Sequence, residues 1–202
     1  MPIFFICFIV FIIWLRVKTK QGEKVSTWDE AYWQKEYQSN FARKKEPDDM
    51  DYITVDKDRI PVDSNCSEEE QALYTELDKI LSQPIINLSN MSNADLKLTY
   101  GIANFERLSA YDQNYTRLIR TLNRLGNYSF DNGNTDRAKQ ILEYAIELGS
   151  DISSTYTVLA SIYLQEDAIE KIQGLINQIE QTDSLMKDTI KNKLLQMVQS
   201  YY

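Results

Sequence analysis

The sequence predicts an all-α chain: antiparallel helix pairs stacked in a short solenoid, closed by a C-terminal helix and preceded by one N-terminal transmembrane helix. Three observations carry this reading. A set of apolar and small positions recurs at 34 residues, so that Leu122, Leu125, Gly126, Ala138, Leu142 and Ala145 return as Tyr156, Leu159, Ala160, Ile172, Ile176 and Ile179. No proline follows Pro84, so residues 85–202 lack the residue that most often breaks a helix. Residues 1–15 carry no charged side chain.

Composition narrows the chemistry. The chain has 202 residues, 43% of them hydrophobic, which allows one domain and an appendage. It has no histidine, and so lacks the commonest general base and metal ligand. Cys7 and Cys66 are too few for a zinc site or a disulfide framework. Residues 1–47 hold eight Lys/Arg against five Asp/Glu, a net +3, leaving −11 for the rest of a chain of net charge −8. An acidic body repels the phosphate backbone, which argues against a nucleic-acid partner. Neither a Gly-rich phosphate loop nor a nucleophile motif occurs, so no enzyme activity, cofactor or metal is expected.

The elements follow in order. Residues 1–17 read as a membrane anchor. Ile3 to Val17 spans roughly 22 Å as a helix, short of a ~30 Å hydrocarbon core, and snorkelling by Arg16 and Lys18 would help to close the difference. A cleaved signal peptide needs positive charge before the apolar run and small residues after it, and WLRVKTK offers neither. Arg16, Lys18, Lys20 and Lys24 all follow the run. The positive-inside pattern then predicts a single pass with the C-terminal domain cytoplasmic, beside anionic headgroups.

Residues 18–64 read as a juxtamembrane linker. Within it Ser26 or Thr27 is placed to cap a helix over 27–42, in which Trp33, Tyr37 and Phe41 share one row and Trp28 and Tyr32 a neighbouring one. That face suits either the lipid interface or packing on the helical domain. Tyr52 to Val55 is the one β-like run, either an extended arm or plain linker.

The helical domain is predicted over 65–202. Ser67 and Glu70 form a capping box for a helix ending near Leu81 before Pro84. A second helix starts near Ser92 or Asn93. A third starts near Asp112, with Asp112 as its cap, and runs to about Asp131. Gly133 and Asn134 make the next turn, and Gly149 a C-terminal cap. Asp183 to Tyr202 reads as an amphipathic closing helix over the last exposed face.

Residues 119–152 resemble one tetratricopeptide repeat, with Leu122, Leu125 and Gly126 on the first helix and Ala138, Leu142 and Ala145 on the second. Residues 153–186 resemble another, through Tyr156, Leu159, Ala160 and Tyr163. The second repeat departs from the pattern where Ile172, Ile176 and Ile179 stand, and where Asp167-Ala168 replaces the usual glycine. The resemblance implies a protein or peptide ligand on the concave side of the first helices. The matching positions are Arg120, Asn123, Arg124, Asn127 and Phe130, then Thr157, Ser161 and Leu164. Arg120, Arg124 and Asn127 imply a grip on a peptide carboxylate, for which the second repeat has no matching basic residues. The alternative is that these arginines are ordinary surface charges. A polar and aromatic cluster, Tyr111 to Tyr115, is either a pocket lining or a helix start.

The expected function is therefore a scaffold that recruits a protein partner to the cytoplasmic membrane face, anchored in the bilayer through residues 1–17. The alternative is a structural subunit packed permanently in a larger membrane assembly.

Overall fold

The computed structural model describes residues 2–43, 45–47, 50–62 and 66–201, with the backbone alone for residues 2–4 and 19–29. Among the described residues the regular elements are helical: α1 (Pro2–Ser39), α2 (Glu68–Leu81), α3 (Asn93–Tyr100), α4 (Ile102–Asp131), α5 (Thr135–Glu147), α6 (Ser153–Gln165), α7 (Ile169–Glu180) and α8 (Lys187–Tyr201), with one 3-10 turn at Lys57–Arg59. The chain divides into two compact units, Met1–Asp48 with Met91–Glu106, and Asp49–Asn90 with Arg107–Tyr202.

In the first unit α1 is one continuous helix, where the sequence suggested an anchor followed by a separate helix over 27–42. Nothing between Val17 and Ser26 stops a helix: Gly22 costs roughly 1 kcal/mol relative to alanine, and no proline intervenes. The helix therefore runs straight through the expected cap at Ser26 or Thr27, and those side chains, like those of Lys20, Lys24 and Trp28, lie outside the described residues. The expected transmembrane helix is not met either. Among the described residues no helix is long and apolar enough to cross a membrane.

The short helix α3 packs on the C-terminal part of α1. Lys35 Nζ meets Asp95 Oδ1 at 2.7 Å, and Lys97 Nζ pairs with Glu36. Ala94 and Leu96 are buried beneath these pairs. Gly101 ends α3 at φ 81°, ψ 153°, a conformation open to glycine and costly to other residues. This is the break that the sequence reading placed near Asp112. Asp112 instead sits inside α4, and is not its cap.

The second unit has two cores. The first joins Leu73, Leu77 and Ile80 of α2 to Leu118, Leu122 and Leu125 of α4 and to Ile141 and Ala145 of α5. A strap from the region expected to be linker closes over it. Ile53, Val55 and Ile60 pack against this core. The Ile53 N–H donates to Ile85 O at 2.9 Å, and the Asp56 N–H donates to Tyr144 Oη at 2.7 Å. Arg59 grips Glu147 through both guanidinium nitrogens, at 2.6 and 2.9 Å, and lies 4.1 Å over the Tyr144 ring. Tyr52 to Val55 is thus an extended arm.

Half of the predicted capping box forms. Ser67 Oγ accepts the Glu70 N–H at 3.1 Å, as expected at an N-cap. The Glu70 carboxylate makes a different bond: it turns inward and meets Arg137 Nη2 at 2.8 Å, with side chains only 4% and 11% exposed.

The second core unites α5, α6, α7 and α8 through Leu142, Tyr156, Leu159, Ala160, Ile172, Ile176, Ile179, Ile190 and Leu194. The 34-residue register is visible in its turns. After α4, Gly133 at φ 79° sends its N–H to Phe130 O while Asn134 donates to Ser129 O. After α6, Asp167 at φ 55° sends its N–H to Leu164 O while Ala168 donates to Tyr163 O. Both are the double-bonded left-handed caps known as Schellman motifs, and Asp167 takes the glycine's place 34 residues on. Gly149, at φ 93°, closes α5 in the same way. The closing helix α8 begins at Lys187, later than the expected Asp183, because residues 181–186 form a loop.

Candidate functional site

The twelve residues that defined the repeat on sequence all lie in these two cores or between them, each buried. Gly126 is the clearest case. A Cβ built there would stand 2.4 Å from Leu142 Cδ2 and 2.6 Å from Leu142 Cγ, so glycine is what lets α4 and α5 approach.

The residues expected to bind a ligand are dispersed among different tasks. Asn123 is a tie between helices: its Oδ1 accepts from Ser154 Oγ at 2.8 Å and Thr155 Oγ1 at 2.9 Å, joining α4 to α6. Asn127 points its amide nitrogen at the same oxygen at 3.5 Å, while its own Oδ1 is buried without a partner. The Thr157 and Ser161 hydroxyls donate back into α6, to Ser154 O and Thr157 O. Phe130 and Leu164, 34 residues apart, are half-buried against the second core. Arg124 turns toward α2, where its Nη1 lies 3.6 Å from Glu76 Oε2, and Arg117 lies 3.7 Å from the other oxygen of that carboxylate. Glu76 therefore occupies the place an incoming carboxylate would take. Arg120 is exposed. Of the eight expected ligand-facing residues, Arg120 and Arg124 are exposed and the other six half-buried.

A separate cleft of about 710 Å³ lies in the second unit, where the loop after α2, the middle of α4 and the loops after α5 and α7 converge. Asp112, Tyr115, Asp151 and Asp183 line it, with Leu185 and Met186 on its edge. This absorbs part of the Tyr111 to Tyr115 cluster. Asp112 Oδ1 accepts the Leu88 N–H at 2.8 Å, and buried Asn114 donates to Pro84 O at 3.0 Å, so the cluster first of all pins the 84–88 connection to α4. Tyr115 donates to Gly149 O at 2.9 Å. Burial, with Asp151 and Asp112 nearby, pushes its phenol up to about 12. Among the described residues no group of three His, Cys, Asp or Glu is placed to hold a metal ion.

The third surface is α1 itself. From Phe5 to Val17 every described large apolar side chain is 42–67% exposed. Further along, Tyr32, Trp33, Tyr37 and Phe41 are 61–70% exposed. The Tyr37 and Phe41 rings meet at 5.0 Å, tilted by 58°, and Tyr32 and Trp33 meet edge to face at 5.6 Å. The row expected from the sequence is present, and its four aromatic side chains are exposed.

What fold and surfaces define together is an all-helical chain with two helix–turn–helix pairs in a 34-residue register and a bare apolar helix. Compared with protein-family models, with curated proteins and with solved structures, the chain matches none of them.

Proposed function

We propose that this protein is a membrane-tethered helical scaffold that holds a protein or peptide partner at the membrane surface. The observation that carries the reading is the uncovered apolar rod at Phe5–Val17, at the start of a chain whose second unit has well-filled cores. A helix apolar on every face has to be buried on every face. Such a surface in water, over this length, far exceeds the small scattered patches that soluble monomers expose. Insertion of the rod into hydrocarbon covers it, and Arg16 and Lys18, exposed just beyond it, suit the headgroup layer. The positive charges that follow the rod favour a cytoplasmic side for the helical units.

The recruiting part of the reading rests on the tetratricopeptide-type pairs α4–α5 and α6–α7, whose first-helix face carries Arg120 and Arg124. The tether raises the local concentration of whatever binds there. The test is a crosslinked pull-down from native membranes with the full chain, a version lacking residues 1–17, and Arg120→Glu with Arg124→Glu. A partner lost with the arginine changes supports recruitment through that face. The same partners on all three versions would instead support a permanent structural subunit. Release of the full chain from membranes by alkaline carbonate would overturn the tether.

A further inference from the structure

The strap over residues 52–61 sits on the second unit as a bound peptide sits on a receptor. It runs antiparallel to α2: Ile53 lies at Ile85, beyond the end of that helix, Lys57 at Asp78 and Pro61 at Tyr74. Its backbone is held directly. The Ile53 N–H donates to Ile85 O at 2.9 Å, the Asp56 N–H to Tyr144 Oη at 2.7 Å, and Pro61 O accepts from Tyr74 Oη at 2.6 Å. Main-chain bonds of this kind hold an extended segment whatever its side chains are, and side-chain anchors supply the selectivity. Two neighbouring anchors are present. Arg59 meets both oxygens of Glu147 and lies 4.1 Å over the Tyr144 ring, and Ile60 is buried in the first core. Ile53 and Val55, two residues apart, add a half-buried apolar edge, with Thr54 between them exposed.

The strap is held less firmly than the helices beneath it. The Arg59 and Glu147 side chains are 45% and 53% exposed, and those of Lys57 and Asp78 58% and 67%, so both ion pairs are of the weak, salt-screened kind. Among the described strap residues Ile60 is the fully buried one, whereas α4 brings Leu118, Leu122 and Leu125 to the same core. Fixing an extended segment costs backbone entropy at every residue. A segment with few buried apolar contacts opens at a fraction of the free energy that unfolds the whole domain. Once the strap lifts, Tyr74, Tyr144 and Glu147 are left to receive another chain of the same chemistry.

We propose that α2, α5 and the connection at Ile85 form a binding site for an extended peptide, which the chain closes in cis with its own strap. A partner segment with the strap's chemistry enters when the strap lifts: apolar residues at i and i+2, then an arginine–isoleucine pair four residues on. The site lies wholly within the second unit and uses none of the residues of the first-helix face, so it stands apart from the membrane reading.

Two measurements on the full chain in neutral detergent test this. The first is hydrogen exchange read by mass spectrometry. Amides of residues 53–60 should exchange at least about tenfold faster than those of residues 118–125, and faster still in about 1 M salt or with Arg59→Gln. Strap amides that exchange only together with α4 overturn the proposal. The second is fluorescence anisotropy of a labelled synthetic peptide of residues 50–62. It should bind the chain carrying Arg59→Glu and Ile60→Asp at least about tenfold more tightly than the unsubstituted chain, whose site is filled. Adding Glu147→Lys to that variant should weaken the peptide again by about tenfold. Equal binding to the parent and the variant, binding that ignores Glu147→Lys, or no binding to a variant with parent-like circular dichroism overturns the proposal. So does loss of helicity with Arg59→Glu and Ile60→Asp, because the strap is then part of the core and not its cover.

Discussion

Gly126 and Leu142 are in contact so close that no side chain fits between them: a Cβ on Gly126 would lie 2.4 Å from Leu142 Cδ2. Leu142 is fully buried in the second core, so any move that makes room displaces its packed neighbours. Gly126→Ala should therefore destabilise the second unit. Alanine gains roughly 0.5–1 kcal/mol of helix propensity, while overpacking costs about 1–3 kcal/mol, so the net loss is about 1–2 kcal/mol. Urea unfolding of the two proteins reads this directly. An alanine variant as stable as the parent would mean that the α4–α5 approach does not depend on the missing Cβ.

That contact also explains which parts of the fold were legible in the sequence. A small residue opposite a large one, repeated at 34, marks helices that touch, and such periodicity marked α5, α6 and α7, while the cap at Ser67 and the stop at Pro84 bounded α2. The break at Gly101 left a weaker mark, because Asp112 looks like a cap while a glycine at φ 81° betrays itself only through backbone geometry. Asn123 reads in the sequence as a ligand-facing position, but its bonds to Ser154 and Thr155 join residues over 30 apart. Glu70 carried a local signature, the capping box, that a distant arginine overrode. The strap was ambiguous for the same reason: Tyr52 to Val55 is held by Ile85 and Tyr144, neither of them near in sequence.

The Glu70–Arg137 pair joins the N-terminus of α2 to the first turn of α5 inside the protein. Arg137 Nε also meets Ser129 Oγ at 3.2 Å, so the guanidinium is shared with α4. Removing one partner strands a buried charge. Arg137→Met alone should destabilise by about 3–5 kcal/mol, and Glu70→Leu together with Arg137→Met by clearly less. A double-mutant cycle by denaturant titration separates the cases. If the double variant loses the sum of what Glu70→Leu and Arg137→Met lose singly, the pair is not coupled.

Asp167 holds a left-handed conformation at φ 55°, where its counterpart Gly133 sits at φ 79°. Aspartate tolerates this region better than most residues but still pays for its Cβ. Its carboxylate gains only a long bond from Tyr201 at 3.3 Å on the surface. Asp167→Gly should raise stability by about 0.5–1 kcal/mol, whereas Asp167→Val should lower it. Thermal unfolding of the three proteins checks the order Gly, Asp, Val. Any other order would argue against the left-handed cap.

Tyr115 and Tyr156 are both buried and both held protonated to about 12. Burial is the main cause in each, and the negative charge of Asp151 adds to both. An unfolded tyrosine titrates near 10, so the fold favours the neutral phenol. Because the folded values are raised, the associated stability is complete below about pH 10 and is lost as pH climbs toward 12. The protein should accordingly unfold within that window, and its phenolate absorbance should rise in two stages, exposed tyrosines first and these two with unfolding. Asp151→Asn keeps an oxygen for the Ser184 hydroxyl that now donates at 2.7 Å, yet removes the charge. It should bring the second stage to lower pH. Tyr115→Phe, which ionises nothing there, should move the alkaline limit upward. A single stage near 10 in the parent protein would show that neither phenol is shielded by the fold.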